Sequence, residues 1–203
     1  NILDFEEKLR VPEQLSAYFK IINNYLKNTN RYSKDDITEI EKRLYDYVMV
    51  QLYDKLYPQG PIADENANYQ KIILHSWVES KHFIEQAPGA DYNRFLPDVI
   101  EYLKSMIKEK SPRKKLENLS KVFNAIKDVI EFNGGKGLLG VDHFLPLLTY
   151  SFIKAQPYRM YSTIKYVMLY NPFEKTGQDA QKLPELLGIY NQITDLSFDK
   201  LIN

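Results

Sequence analysis

The chain has no cysteine among its 203 residues. Disulfides and thiolate metal sites are therefore excluded, and the absence fits a cytosolic setting. It has no surplus charge either: 27 Lys and Arg are balanced by 27 Asp and Glu. Nucleic acid is bound largely by neutralising phosphates with Lys and Arg, so this balance argues against it as a partner. No apolar run reaches about 18 residues, the length that spans a bilayer. No signal peptide is visible, and a chain opening on Asn1 reads as a fragment of a longer protein. Alternating apolar and polar runs bounded by hairpin turns are missing, as are internal repeats and low-complexity segments.

What remains is helical periodicity, with 44% hydrophobic residues and 16 tyrosines to fill a core. The first predicted helix runs from Val11 to Lys27, with Pro12 in its first turn and Leu15, Phe19, Ile22, Tyr25 and Leu26 on one stripe. The second starts at Ser33, an N-cap, with Asp35 and Asp36 at the positive end of the dipole. Ile37, Ile40, Leu44, Tyr47, Val48, Val50 and Leu52 carry it to Leu56, and Tyr57-Pro58-Gln59-Gly60-Pro61 stops it. A third is expected over 68–79 with Ile72, Ile73, Trp77 and Val78 inward, and a loop over 80–90 follows. The fourth covers 92–109, its true start set by Pro97. Pro112 opens the fifth, which runs to Phe132. Asn133 to Gly137 link it to an apolar helix after Gly140. Further helices are expected at 159–170, 179–194 and 197–202. The sum is an all-α protein of about seven to nine helices.

Few groups invite chemistry. His75, Glu79 and His82 could share a helix face, but no fourth ligand is near, so no metal is assigned. Gly134-Gly135-Lys136-Gly137 lacks the Ser or Thr of a phosphate loop and follows a helix, so it reads as a connector. No nucleophile elbow is present, and His143 has no serine partner in sequence. Lys108, Lys110, Arg113, Lys114 and Lys115 form a basic cluster, read as a solvated helix entrance or a contact for an acidic surface or membrane. No cofactor is expected.

The run Gly140-Val141-Asp142-His143-Phe144-Leu145-Pro146 to Lys154-Ala155-Gln156-Pro157 is apolar apart from one carboxylate near its entrance. Asp142 and Pro146, four apart, share a face, and Tyr150 lies a turn further on. On this reading alone, Asp142 is an N-cap.

The same run resembles the signature helix of the Vps-nine (vacuolar protein sorting nine) domain family, exchange factors for Rab-five-type GTPases. Further segments are similar to that family in order and spacing: Asp4 to Glu13, Tyr53 to Pro58, Leu74 to Val78, Ser111 to Leu119, Ile126 to Ile130, Tyr170-Asn171-Pro172 and Thr176-Gly177. The resemblance implies a helical bundle part over 1–60, packed as one rigid unit against a layered multi-helix exchange domain over 61–203. It implies a GTPase partner, a monomer, and a cytoplasmic protein peripheral on endosomal membranes through flanking regions. It assigns Asp142 the role of an acidic finger that ejects GDP, and Pro146 that of a groove wall. His143, Tyr150, Gln181, Leu183 and Pro184 fall on the partner-binding side. His143 replaces a second acidic residue, and Gln181 and Pro184 stand where the family has tyrosine and threonine. Those departures leave a second expectation, a Rab-binding or scaffolding module without exchange activity. A third is a structural domain in which Asp142 only caps its helix.

Overall fold

Glu6 to Arg10 are strong helix formers and carry the chain straight through Pro12. A computed structural model describes residues 5–29, 31–84, 91–133, 138–171 and 178–195, with side chains from residue 10 onward and, in the last two segments, from 143 and 181. Its first helix, α1 (Phe5–Asn28), holds Pro12 in its interior, not in the expected first turn. Leu15 and Phe19 pack inward, but Tyr25 is exposed, off the predicted stripe.

Ser33 caps α2 (Lys34–Leu56) as expected: its hydroxyl accepts the Asp36 N–H, and Asp36 accepts the Ser33 N–H in return. The inward face is Ile37, Tyr45, Met49 and Leu56. Tyr47 and Val50 lie 140–200° around the helix from Tyr45 by a 100° step and are exposed.

The third helix is α3 (Glu65–Leu74), earlier and shorter than the predicted 68–79. His75 ends it: its N–H lies within bonding distance of the Lys71 and Ile72 carbonyls, and its Nδ1 is 2.7 Å from the Lys71 oxygen. The chain then turns through Val78, which is buried, and leaves Trp77 45% exposed rather than inward. Within the expected loop, Ser80–His82 form a single 3₁₀ turn, whose His82 Nδ1 accepts the Glu79 N–H at 2.8 Å.

Pro97 lies in the first turn of α4 (Leu96–Lys108), and Ser111 caps α5 (Pro112–Phe132). These two helices pack along one another, and α6 (Leu138–Ala155) lies on both. The remaining helices are α7 (Met160–Tyr170) and α8 (Gln178–Asp195). One core runs from Phe19 of α1 to Ile193 of α8, with α5 touching α2, α4, α6, α7 and α8. The described residues contain eight α-helices and no strand, so the protein is all-α. The predicted helix at 197–202 and the 134–137 connector lie outside the described residues.

Helix ends inside this core are satisfied by side chains from elsewhere. Glu65, at the start of α3, is buried and accepts the Ser162 N–H (2.8 Å) and hydroxyl (2.5 Å) in the first turn of α7. Lys71 donates to the Thr194 carbonyl at the end of α8 (2.8 Å). Lys115 is fully buried and donates to the Met106 and Ile107 carbonyls at the end of α4, both at 2.9 Å. Its Nζ lies 5.6 Å from the ring centroids of both Tyr53 and Tyr57.

The basic cluster around Pro112 is therefore two things, not one solvated entrance. Lys108, Lys110 and Lys114 are exposed, while Lys115 and Arg113 serve the interior. Arg113 grips Asp46 of α2 through Nε (3.1 Å) and Nη2, and reaches Glu117 as well. Ser111 also donates to Asp46. The carboxylates hold the guanidinium even above its usual range.

Removing one partner of so enclosed a pair strands the other, so Arg113→Ala is expected to lower the unfolding free energy by about 3 kcal/mol in urea melts, whereas a loss below about 1 kcal/mol would mean that water already screens Asp46. Lys115 carries a pH signature. Burial pushes its ammonium down to about 7, against a smaller opposing pull from Glu109. The amine is thus neutral in the fold above that pH yet protonated in the unfolded chain, and a neutral amine still has a donor for each of its two carbonyls. Its contribution to stability grows as pH rises from about 7 toward the unfolded value near 10.5 and is smallest below that window. Lys115→Met should flatten this rise; urea melts at intervals across the window would show it.

Candidate functional site

The carboxylate singled out in the sequence sits inside α6, not at its mouth. Leu138 and Leu139 are good helix formers, and the helix begins four residues before Asp142. Asp142 therefore lies in the second turn and is not an N-cap, which corrects the capping expectation. Pro146 is also inside the helix. It has no N–H for the carbonyl four residues back, which belongs to Asp142. The helical ladder is thus interrupted at the turn that carries the carboxylate. One turn on, the Thr149 hydroxyl donates to the Leu145 carbonyl at 2.9 Å.

Beyond Pro146 the helix disappears into the core. Leu147 to Ile153 are all buried. Gln156 ends the helix at φ 46°, its N–H bonding the Phe152 carbonyl at 3.1 Å, and Pro157 prevents continuation. Lys154 reaches across to the Ser76 carbonyl (2.9 Å). Just before that buried stretch, Leu145 is exposed and His143 and Pro146 are half-buried.

Tyr150 points into the protein and is 4% exposed. Its hydroxyl donates to Asn93 Oδ1 at 2.9 Å, its ring lies 6.2 Å from Phe83, and burial pushes its pKa up, making the phenol a weaker acid. In this position it ties α6 to the segment before α4. The His143 ring meets Tyr92 of the same segment edge-on at 6.1 Å.

On α8, Gln181 and Pro184 are exposed, and Leu183 between them is 7% exposed and part of the core. The first halves of α6 and α8 are brought together on α5. Phe144 packs on Phe123 (5.0 Å), and Lys182 reaches over the same ring (5.9 Å) while donating to Ser120 (2.9 Å). Residues 143–146 and 181–184 thus border one flank of α5, while Tyr150 and Leu183 support that surface from behind.

Segment 91–95 is the part of this region that the sequence reading missed. Asn133 ties it to the end of α5, accepting the Asp91 N–H (2.8 Å) and donating to the Asp91 carbonyl (3.2 Å). The Asp91-Tyr92-Asn93 run is a turn signal that could have marked it.

Chemically, this surface offers one carboxylate position, an interrupted helix turn and polar side chains on an apolar floor. Such a surface suits another protein and not a small substrate.

Residues 96–195, from α4 through α8, match the family described as the vacuolar sorting protein 9 (VPS9) domain. The chain carries a VPS9 domain. It is 25% identical over 171 residues to vacuolar protein sorting-associated protein 9A of Arabidopsis thaliana, covering 81% of this chain and 33% of that protein. The protein of the same name in Oryza sativa subsp. japonica is 24% identical, over 73% of this chain and 32% of its own length. The Rab5 GDP/GTP exchange factor of Bos taurus is 23% identical over 195 residues, 88% of this chain and 38% of that protein. The chain thus spans about a third of the length of these relatives. Within the VPS9 domain, α6 is the helix that carries Asp142 and Pro146.

Tyr150→Phe deletes one buried hydrogen bond and leaves Asn93 Oδ1 without that donor. A loss of about 1 kcal/mol is expected in thermal unfolding, with the core otherwise intact. An unchanged melting temperature would show that water replaces the hydroxyl.

Proposed function

We propose that this chain catalyses GDP release from a Rab-family GTPase, with Asp142 as the group that reaches the nucleotide site. The observation that carries this reading is the VPS9 match over 96–195, with Asp142 and Pro146 on the first half of α6 inside it. Similarity to a protein named Rab5 GDP/GTP exchange factor supports a Rab-five-type partner. On this reading the protein works in the cytoplasm, peripherally on endosomal membranes, as a monomer.

The chemistry needs no bond made or broken in the exchange factor. A GTPase holds the β-phosphate of GDP with Mg²⁺ and a loop lysine. A carboxylate brought into that site pairs with the lysine, repels the phosphates and competes with them for the cation. A charge-assisted contact of this kind contributes about 1.5–3 kcal/mol. Since ~1.4 kcal/mol is a tenfold change in rate, Asp142 accounts for about one to two powers of ten. The remaining acceleration comes from the apolar surface around Pro146, against which the GTPase switch segments rearrange. Pro146 also releases the Asp142 carbonyl from the ladder, so the turn carrying the carboxylate adapts without disturbing Leu147 to Ile153.

Gln181 and Pro184 favour a second reading, a Rab-binding module that does not release nucleotide. An aromatic anchor lost from an interface typically costs about 2 kcal/mol or more. Gln181 keeps hydrogen-bonding capacity but offers no ring, and Pro184 offers no hydroxyl.

Release of fluorescent GDP from a panel of Rab GTPases separates the readings. The native chain should accelerate release from at least one Rab, and Asp142→Ala should slow that release by about ten- to a hundredfold. Alanine is a better helix former than aspartate in a second turn, so the variant keeps its fold. Equal rates for the two would falsify the role of Asp142, and tight binding without release would establish the second reading.

A further inference from the structure

Arg94 is exposed, and its guanidinium carbon lies 4.4 Å from the ring centroid of Phe132 and 5.7 Å from that of Phe95. Phe132 is itself 54% exposed, with Phe95 set edge-on to it at 6.2 Å. A guanidinium lying over a ring is held by its face and keeps the N–H donors along its edge. That edge suits a carboxylate, which it can bind bidentately. Among the described residues Arg94, like Arg10 and Arg31, forms no ion pair, whereas Arg43, Arg113 and Arg159 each face a carboxylate; Arg94 differs from the other two in lying over an aromatic ring.

The shelf is fixed relative to α6. Asn133 clamps Asp91 to the end of α5 and also donates to the Val129 carbonyl at 2.9 Å. Asp91 Oδ1 accepts the Asn93 N–H at 3.0 Å, and Asn93 Oδ1 receives the Tyr150 hydroxyl. Tyr92, two residues from Arg94, meets His143. Phe132 is the last residue of α5, and α6 begins at Leu138. Arg94 therefore lies at the same end of the domain as the turn that carries Asp142.

We infer that Arg94, laid on Phe132, is a second docking contact for the GTPase and binds an acidic patch on its surface. This inference rests on the proposed exchange activity. A carboxylate seeking a lysine and an arginine seeking carboxylates form a two-point charge pattern. Such a pattern rejects partners that present only one of the two and sets the angle at which α6 approaches.

A contact at the rim acts on encounter and on its salt dependence more than on the chemical step. The test measures GDP release against exchange-factor concentration at ~50 and ~500 mM salt, where the screening length falls from more than ~10 Å to below it. The proteins are native, Arg94→Glu, Arg94→Lys and Phe132→Ala. Arg94→Glu should lower kcat/KM about tenfold at low salt, with the deficit shrinking at high salt and kcat preserved. Arg94→Lys keeps the charge without the planar fork, and Phe132→Ala keeps the fork without the shelf; both should fall between native and Arg94→Glu. All four should melt alike. If native protein accelerates release and Arg94→Glu matches it in kcat/KM and salt slope, the docking contact is refuted and the exchange activity stands. A deficit equal at both salt concentrations refutes it as well. If native protein accelerates release from no Rab, both proposals fall together.

Discussion

The burial of two basic side chains among tyrosines, where α2, α5 and α7 meet, is what makes one body of this chain. Tyr53 and Tyr57 stack at 4.8 Å, and Tyr166 of α7 stands edge-on to both. Lys115 reaches this group from α5, and Arg159, at the start of α7, lies 4.9 Å over Tyr57. Arg159 also donates to the Pro58 and Gly60 carbonyls, both at 2.6 Å, fixing the turn after α2. Each of the two side chains has a ring on one side and backbone oxygens on another, which is how a low-dielectric interior tolerates the Arg159 charge and the Lys115 amine. Together with Arg113 on Asp46, Lys71 on the Thr194 carbonyl and Glu65 on Ser162, this cluster gives the contact between the first three helices and α4 to α8 a fixed angle and register, which apolar contact alone does not.

Buried helix ends impose the second constraint. Every helix leaves carbonyls and N–H groups without partners at its ends, and a layered helical protein puts several of those ends out of reach of water. Here long side chains from distant parts of the sequence meet them, as Lys115, Lys71 and Glu65 do. These bonds are also directional, so they set where each helix stops against its neighbours. The first half of α6 rests on Phe123 of α5 through its own Phe144, and the helix is tied to the segment before α4 through Tyr150 and Asn93.

Local signals were readable in the sequence, and long-range ones were not. Ser33 and Pro112 announce their helices because a cap and a first-turn proline both act within one turn. The order of helices follows from apolar spacing, and the limits of α5 from Pro112 before it and the Asn133 to Gly137 run after it. Trp77 was misplaced because its inward position assumed a helix running to Glu79, and His75 ends that helix. Lys115 looks like any surface lysine in sequence; its burial depends on α4 and α2 arriving on either side. In the site, Asp142 and Pro146 stood out through type and spacing. The inward turn of Tyr150 did not, since a buried tyrosine and an interface tyrosine have the same period on a helix. Arg94 stayed hidden because its partner ring is 38 residues away in the chain.

Pro146 divides α6 into two lengths that answer to different selective pressures. Behind it, volume rules: Leu147, Leu148, Phe152 and Ile153 are enclosed on every side, and drift there is limited to what neighbouring helices can absorb. Ahead of it, on the proposed function, the surface must also suit a partner, so change there is judged by that partner's tolerance. The two lengths meet at a residue that cannot pass a hydrogen bond across it.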